Sequence, residues 1–197
     1  MLPNNKIKRV RKWLDDLNEP RDRKHPNTRS FCLGGADIGD TTQGITDFVW
    51  QAWTDGAAIF VQRTDLSNPD RVLTDKGITS VSIAFTRDMN LVIAYQAGLE
   101  SKLWVGQNGS LSGTIATSIR GGQDPMVALD DNRYATDFTS DVIFAYIKDS
   151  MLCCRYQREG YRAEHKLQVL ESGTNLYRMG MGRDNRFLFL LQKEVKN

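Results

Sequence analysis

The stretch 81-VSIAFTRDMNLVIAYQ-96 decides the fold. Val81, Ile83 and Phe85 alternate with Ser82 and Ala84, the period-two pattern of a strand with one face in a core. A short polar turn carrying Asp88 follows, and then 91-LVIAYQ-96 is almost continuously apolar, as expected of a strand covered on both faces. The same hairpin recurs as 47-DFVWQAWTDGAAIFVQ-62 and 176-LYRMGMGRDNRFLFLLQ-192, and with an expanded turn as 126-MVALDDNRYATDFTSDVIFAYIK-148. The dense strands end at Gln62, Gln96, Ile147 and Gln192, which are 34, 51 and 45 residues apart. Repetition on that scale predicts an all-β, propeller-like body of antiparallel hairpin units of about 40–50 residues. A β-sandwich is the alternative. The last unit is short, and 30-SFCLGG-35 is a candidate strand to complete it.

The 197 residues suffice for one domain with an appendage. A 40% hydrophobic fraction permits a core, and a net charge of +2 does not point to nucleic acid as a partner. The charge is uneven. Residues 6–29 hold nine basic and four acidic side chains, a local excess of five. We therefore divide the chain into an N-terminal basic arm and linker, residues 1–27, and a β-repeat domain, residues 28–197. Within the arm, Ile7, Val10, Leu14 and Leu17 recur at helical spacing with Lys and Arg between them, and Trp13 flanks the stripe. Pro20 and Pro26 bracket the linker. An amphipathic helix docked on its own domain and an arm docked on a partner both fit. On the second reading Lys6, Lys8, Arg9, Arg11, Trp13, Arg21 and Arg23 are the partner-binding residues.

Cys32, Cys153 and Cys154 are too few, and odd in number, for a secreted disulfide framework. The adjacent pair should point to opposite faces of one strand. This reads as a chain made in a reducing cytoplasm. No run approaches the roughly 20 apolar residues of a membrane-spanning helix, and the basic N-terminus lacks the apolar core of a secretory signal.

Chemistry-bearing patterns are sparse. His25 and His165 have no sequence neighbours that suggest a nucleophile–base pair or a zinc site. The glycines of 33-LGGADIGD-40 and 120-RGGQDP-125 do not form a nucleotide-binding signature. The acidic loop 130-DDNRYATDFTSD-141 offers Asp130, Asp131, Asn132, Asp137 and Asp141 as hard ligands, without the glycine and closing glutamate of a calcium loop. The expectation is no enzyme, no catalytic residues, no metal and no cofactor. Asp55, Asp88 and Asp184 sit in hairpin turns, where a carboxylate accepts local backbone N–H bonds; they are expected to be structural. Their setting loosely resembles the Asp-box hairpins of sialidase-like propellers, without the box's glycine. A sialidase would need an arginine triad and paired acids, and no such set is present. Trp50, Trp53, Trp104, Tyr134, Tyr156 and Tyr161 could pack inside or form a sugar- or protein-binding surface.

The last third resembles the C-terminal region of tail-associated structural proteins of tailed bacteriophages. The carriers are 141-DVIFAYIKDSMLCCRYQREGYRAEHKL-167 and 175-NLYRMGMGRDNRFLFLLQ-192. Asp141, Val142, Tyr146, Lys148, Asp149, Leu152, Arg155, Gln157, Arg158 and Tyr161 match one stretch of the family pattern. Gly180, Met181, Asn185, Arg186 and Phe189 match the other. Ser150 stands where glycine is usual, and Cys153 and Cys154 where aromatics are usual. The resemblance implies a virion protein, located in a tail or tail tip and assembled with other tail proteins and with copies of itself. A receptor- or glycan-binding module of the same particle, touching a host surface receptor, is the alternative.

Overall fold

The computed structural model describes residues 29–35, 47–86, 88–107, 110–131, 140–181 and 186–193. The proposed helix of the arm, the 36–46 connection and most of the 130–141 loop lie outside them. The described chain is all-β apart from one 3-10 turn at Gln157–Glu159.

Fourteen strands form four antiparallel sheets. The first holds β1 (Arg29–Gly35), β2 (Asp47–Thr54), β3 (Ala58–Arg63) and β4 (Asp70–Thr74). The second holds β5 (Ile78–Phe85), β6 (Leu91–Ala97), β7 (Glu100–Gly106) and β8 (Gly113–Arg120). The third holds β9 (Gln123–Asp131), β10 (Ser140–Lys148), β11 (Met151–Tyr156) and β12 (His165–Val169). The fourth has two strands, β13 (Thr174–Met181) and β14 (Phe187–Lys193). Every sheet is a simple meander in which sequence neighbours pair. A sandwich of two sheets is thereby replaced by four sheets in a row. Among the described residues the row closes into neither a barrel nor a ring.

The sheets stack in chain order. β5 packs against β1 and β2, β9 against β5, β6 and β7, and β13 against β9 and β10. Alternation along the second strand of each full inner sheet explains how. In β6, Leu91, Ile93 and Tyr95 join Trp50, Ala52, Ile59 and Val61 of the first sheet in one core. Val92 and Ala94 face the other way and join Val142, Phe144 and Tyr146 of β10. Ile143, Ala145 and Ile147 of β10 then face the fourth sheet, where Leu176, Phe187, Phe189 and Leu191 meet them. A strand with a neighbouring sheet on each face must be apolar at every position, which is why these runs lack alternation. Cys153 and Cys154 obey the same rule: one lies in the core between the second and third sheets, the other in the core between the third and fourth. Both are buried free thiols.

Two sequence expectations are corrected. Residues 30–35 do not complete the last unit. They belong to β1, which pairs with β2 in the register Cys32↔Trp50 and Ser30↔Ala52. Consequently 47-DFVWQAWTDGAAIFVQ-62 is the second hairpin edge of its sheet (β2–β3), whereas 81-VSIAFTRDMNLVIAYQ-96 is the first (β5–β6). Counted from the first strands, the units begin at Arg29, Ile78, Gln123 and Thr174, and are 49, 45 and 51 residues apart. That spacing is more even than the one read from the dense strands.

Side chains also tie successive sheets. Val127 N–H donates to Ser82 Oγ at 3.1 Å, and Ser82 Oγ–H donates to the Val127 carbonyl at 3.4 Å. Leu176 N–H donates to Asp124 Oδ2 at 3.2 Å. In both cases a side chain of one first strand satisfies the backbone of the next first strand. These are edge strands, whose outward N–H and C=O groups otherwise have no ladder partner. Between the first and second sheets, Asp75 Oδ2 accepts from Lys102 Nζ at 2.8 Å and from Tyr95 O–H at 3.1 Å. Tight approach of the Val105 carbonyl and the Trp104 ring leaves Gly113 no room for a Cβ.

Candidate functional sites: the 141–165 clamp and the end faces

Asp141, Val142, Tyr146, Arg155, Gln157, Arg158 and Tyr161 meet around one loop. Met151 to Tyr156 pairs with β10, and the chain then makes its 3-10 turn and doubles back to β12. At the start of β10, Arg158 N–H donates to Asp141 Oδ1 at 2.9 Å, and Val142 N–H donates to Gln157 Oε1 at 3.1 Å. Arg158 Nε stands 3.4 Å from Asp141 Oδ2, a charge contact without hydrogen-bond alignment. Asp141 is 3% exposed, and burial pushes its carboxyl above the ordinary carboxylate range despite the Arg158 N–H and guanidinium.

Further along, Tyr146 O–H donates to Glu164 Oε2 at 2.6 Å, and Arg155 Nε donates to the Tyr146 oxygen at 3.1 Å. Arg155 Nη1 donates to the carbonyls of Tyr161 and Arg162, both at 2.9 Å. The Tyr146 bond holds the Glu164 carboxyl below its ordinary range, while burial pushes the Tyr146 phenol up. Tyr161 takes a left-handed backbone, φ 58°, while its ring is buried in the core between the second and third sheets. A non-glycine residue there is strained, and the carbonyl bond from Arg155 helps to hold it. Arg155, Asp141 and Gln157 thus clamp one loop onto β10 and β11. Tyr146 is fully buried, so its hydroxyl serves the clamp and opens on no cleft. Lys148 and Leu152 lie opposite Met151 and Ile147 in the hairpin, and Asp149 and Ser150 form its turn with φ of 51° and 58°. Two successive positive φ values define a type I′ turn. Ser150 occupies a left-handed position that glycine takes without steric cost.

The three turn aspartates do different things. Asp55 Oδ1 accepts from Ala57 N–H at 2.9 Å and Ala58 N–H at 2.8 Å, and these bonds hold its carboxyl below the ordinary range. Asp88 is exposed, and Thr86 makes the bonds across its turn. Asn90 N–H donates to Thr86 Oγ1 at 3.0 Å, Thr86 N–H donates to the Asn90 carbonyl at 2.9 Å, and Met89 N–H donates to the Thr86 carbonyl at 3.0 Å. Met89 takes the left-handed conformation in this turn, φ 61°. Asp184 lies outside the described residues, as do Asn185, Lys6, Lys8, Arg9, Arg11, Trp13, Arg21, Arg23, His25, Asn132, Tyr134 and Asp137.

Of the acidic loop, Asp130 stands opposite Asp141 in the β9–β10 ladder. Among the described residues no group of three His, Cys, Asp or Glu side chains could hold a metal ion. No helix among them is long and apolar enough to cross a membrane. His165 Nε2 lies 2.7 Å from Glu159 Oε2, and its ring meets Tyr156 edge-on at 5.0 Å. Trp50, Trp104 and Tyr161 are core residues. A cleft of about 280 Å³ lies between Gln96, Leu99, Gly122 and Asp124, but Gln96 Nε2 already donates to the Gly98 and Gly122 carbonyls.

Among the described sheets, the first and the fourth each have a second face that packs on no other described sheet. On the first sheet, the face turned away from the core carries the cross-strand pair Trp53↔Phe60, half-buried, with ring centroids 5.8 Å apart and planes 19° apart. Beside it Gln51 Nε2 donates to Gln62 Oε1 at 2.8 Å. On the fourth sheet, Phe187, Phe189 and Leu191 face the third sheet, while Leu188 and Leu190 face outward and are 43% and 50% exposed. β14 thus has the dense apolar composition of a doubly covered strand, and among the described residues it has a neighbouring sheet on one face. Compared with known protein families and with curated protein sequences, the chain matches none.

Proposed function

We propose that this chain is a structural protein of a bacteriophage particle, built into the tail or tail tip, with its sheets forming part of a propeller-like ring. The observation that carries the proposal is the repeated stacking of antiparallel meanders with their first strands in series. Propeller blades have this strand order and this inner first strand. The resemblance of residues 141–192 to phage tail proteins supplies the setting. Within its first stretch, Asp141, Tyr146, Arg155, Gln157 and Arg158 belong to a loop clamp and Asp149 to a hairpin turn, which fits an architectural role for that stretch. The basic arm, residues 1–27, is assigned to a neighbouring subunit or another tail protein, with Lys6, Lys8, Arg9, Arg11, Trp13, Arg21 and Arg23 as its contacts. No catalytic, cofactor or metal role is assigned, and the protein resides in the virion after assembly in the host cytoplasm.

The second reading is a receptor- or glycan-binding module of the same particle, touching a host surface receptor. Two experiments separate the readings. Deleting residues 1–27 should leave a folded body that no longer enters particles. The full chain should lose its arm to trypsin when free and keep it in the particle. A truncated chain that assembles at the full level, or a free protein that binds glycans with no change in trypsin sensitivity on assembly, contradicts the structural reading.

A further inference from the structure

We infer that the loop between β11 and β12, residues 157–164, is a strap that opens and closes as one unit, withdrawing the Tyr161 ring from the core between the second and third sheets while the sheets stay intact. The inference goes beyond the assembly reading and does not rest on it.

The hinges lie side by side. The strap leaves β11 after Tyr156 and returns at His165, and Cys154 pairs with His165 in the ladder. Its ends are therefore neighbours, the form of a compact surface loop. Lifting it breaks no strand pairing, because none of its residues belongs to a strand. Within the strap the backbone bonds are local. Gly160 N–H donates to the Gln157 carbonyl at 2.8 Å, Tyr161 N–H to the Tyr156 carbonyl at 3.0 Å, and Arg162 N–H to the Glu159 carbonyl at 3.3 Å. The ties to β10 and β11 run through side chains instead: Arg158 N–H on Asp141 Oδ1, Val142 N–H on Gln157 Oε1, the Tyr146 hydroxyl on Glu164, and Arg155 Nη1 on the carbonyls of Tyr161 and Arg162. Of residues 157–164 only Tyr161 is buried. A segment with so little apolar burial opens at a lower free energy than the ladders beside it.

The closed strap carries three costs, and all of them end when it lifts. Tyr161 holds φ at 58°, a conformation that an aromatic residue leaves when it is free to do so. Its hydroxyl is buried without a hydrogen-bond partner. Asp141 Oδ2 is buried without one as well, on the carboxylate whose other oxygen holds the strap at Arg158 N–H. Opening brings both oxygens to water and frees the backbone. Arg155 offsets these costs. It is fixed in β11, and its guanidinium reaches the Tyr146 oxygen and both strap carbonyls. Arg155 is thus the pin and the Tyr161 ring the latch. Lysine keeps the charge but cannot present that fork.

Hydrogen exchange of the full chain under native conditions, followed amide by amide by NMR, reads the opening. The amides of Arg158, Gly160, Tyr161 and Arg162 should share one opening equilibrium with the Val142 amide, which lies outside the strap and is held by Gln157. Together they should exchange roughly tenfold faster, or more, than the ladder amides of β6. Arg155→Lys should speed these amides roughly tenfold further and leave β6 unchanged. Tyr161→Phe removes the unpartnered hydroxyl and should slow them roughly threefold or more. Strap amides that exchange no faster than β6, strap amides that open independently of one another and of Val142, equal acceleration of the strap and β6 in Arg155→Lys, or faster strap exchange in Tyr161→Phe, each overturns the inference. Should Arg155→Lys fail to fold, the unsubstituted chain and Tyr161→Phe decide it by the same criteria.

Discussion

Ser82 Oγ holds both backbone groups of Val127, 45 residues away: it accepts from the N–H at 3.1 Å and donates to the carbonyl at 3.4 Å. One hydroxyl does for β9 what a neighbouring strand would do. It also fixes the relative height of the second and third sheets, since β5 and β9 are their first strands.

Ser82→Ala leaves two backbone groups at a 4%-exposed residue without partners. The expected cost is about 1–3 kcal/mol, the penalty for stranding a buried donor or acceptor. Ser82→Thr keeps the hydroxyl and should lose less. Urea melts of both variants check this; equal losses would mean that the site responds to volume and not to the bonds.

Asp75 joins the first and second sheets through Lys102 and the buried phenol of Tyr95. Desolvation pushes its carboxyl up, but the bonds from Lys102, the Lys76 N–H and Tyr95 outweigh that, and the net effect is below the ordinary range. A lowered folded value means stability that is present above the ordinary carboxylate range and lost as pH falls through the lowered one. Asp141 has the opposite sign: its raised value favours the folded protein in acid, and that contribution is lost as pH rises through it. Asp75→Asn should therefore flatten the acid limb of the stability–pH curve, whereas Asp141→Asn should steepen it. Thermal melts from pH 3 to pH 7 read both slopes, and parallel curves for the two variants would contradict the assignment.

Thr86 bonds across the β5–β6 turn through its side chain and both backbone groups, whereas Asp88 is exposed. Thr86→Val should cost about 1 kcal/mol, the usual net value of one hydrogen bond, or more because Thr86 is 3% exposed. Asp88→Ala should stay within about 0.5 kcal/mol, as surface changes do. Reversed magnitudes in a denaturant titration would assign the closing role to the carboxylate.

Ser150 sits at φ 58° in the β10–β11 turn. A left-handed non-glycine residue costs about 1–2 kcal/mol, and the greater unfolded freedom of glycine takes back about 0.5–1. Ser150→Gly should therefore raise stability by up to about 1 kcal/mol. A lower melting temperature would mean that the serine side chain makes a contribution larger than its backbone strain.

The sequence was legible where burial dominates. The unbroken apolar runs of β6 and β10 announce neighbours on both faces, and the adjacent cysteines separate across β11 as strand geometry requires. It was misread where side chains carry little pattern. β4 and β8 are edge strands with exposed, polar positions, so nothing in 70-DRVLT-74 or 113-GTIATSIR-120 alternates strongly enough to mark a strand. β1 was placed in the wrong sheet because its partner β2 is joined to it by a long connection and not by a recognisable turn. The phase of the repeat slipped by one strand as a result. The clamp was invisible for a different reason. Tyr146, Arg155 and Glu164 span 18 residues and meet only because the hairpin and the returning loop bring them together. Pattern reading sees the residue types but not that junction.

The most direct test of the central claim is an image of the particle. A gold-binding tag placed after Asn197, on a chain shown by melting to be folded, should appear at the tail or tail tip in cryo-electron micrographs of purified particles. Density there should accommodate stacked four-stranded sheets around an axis. Particles that lack the tag while remaining complete and infectious, or a tag found on the capsid shell, would contradict the claim.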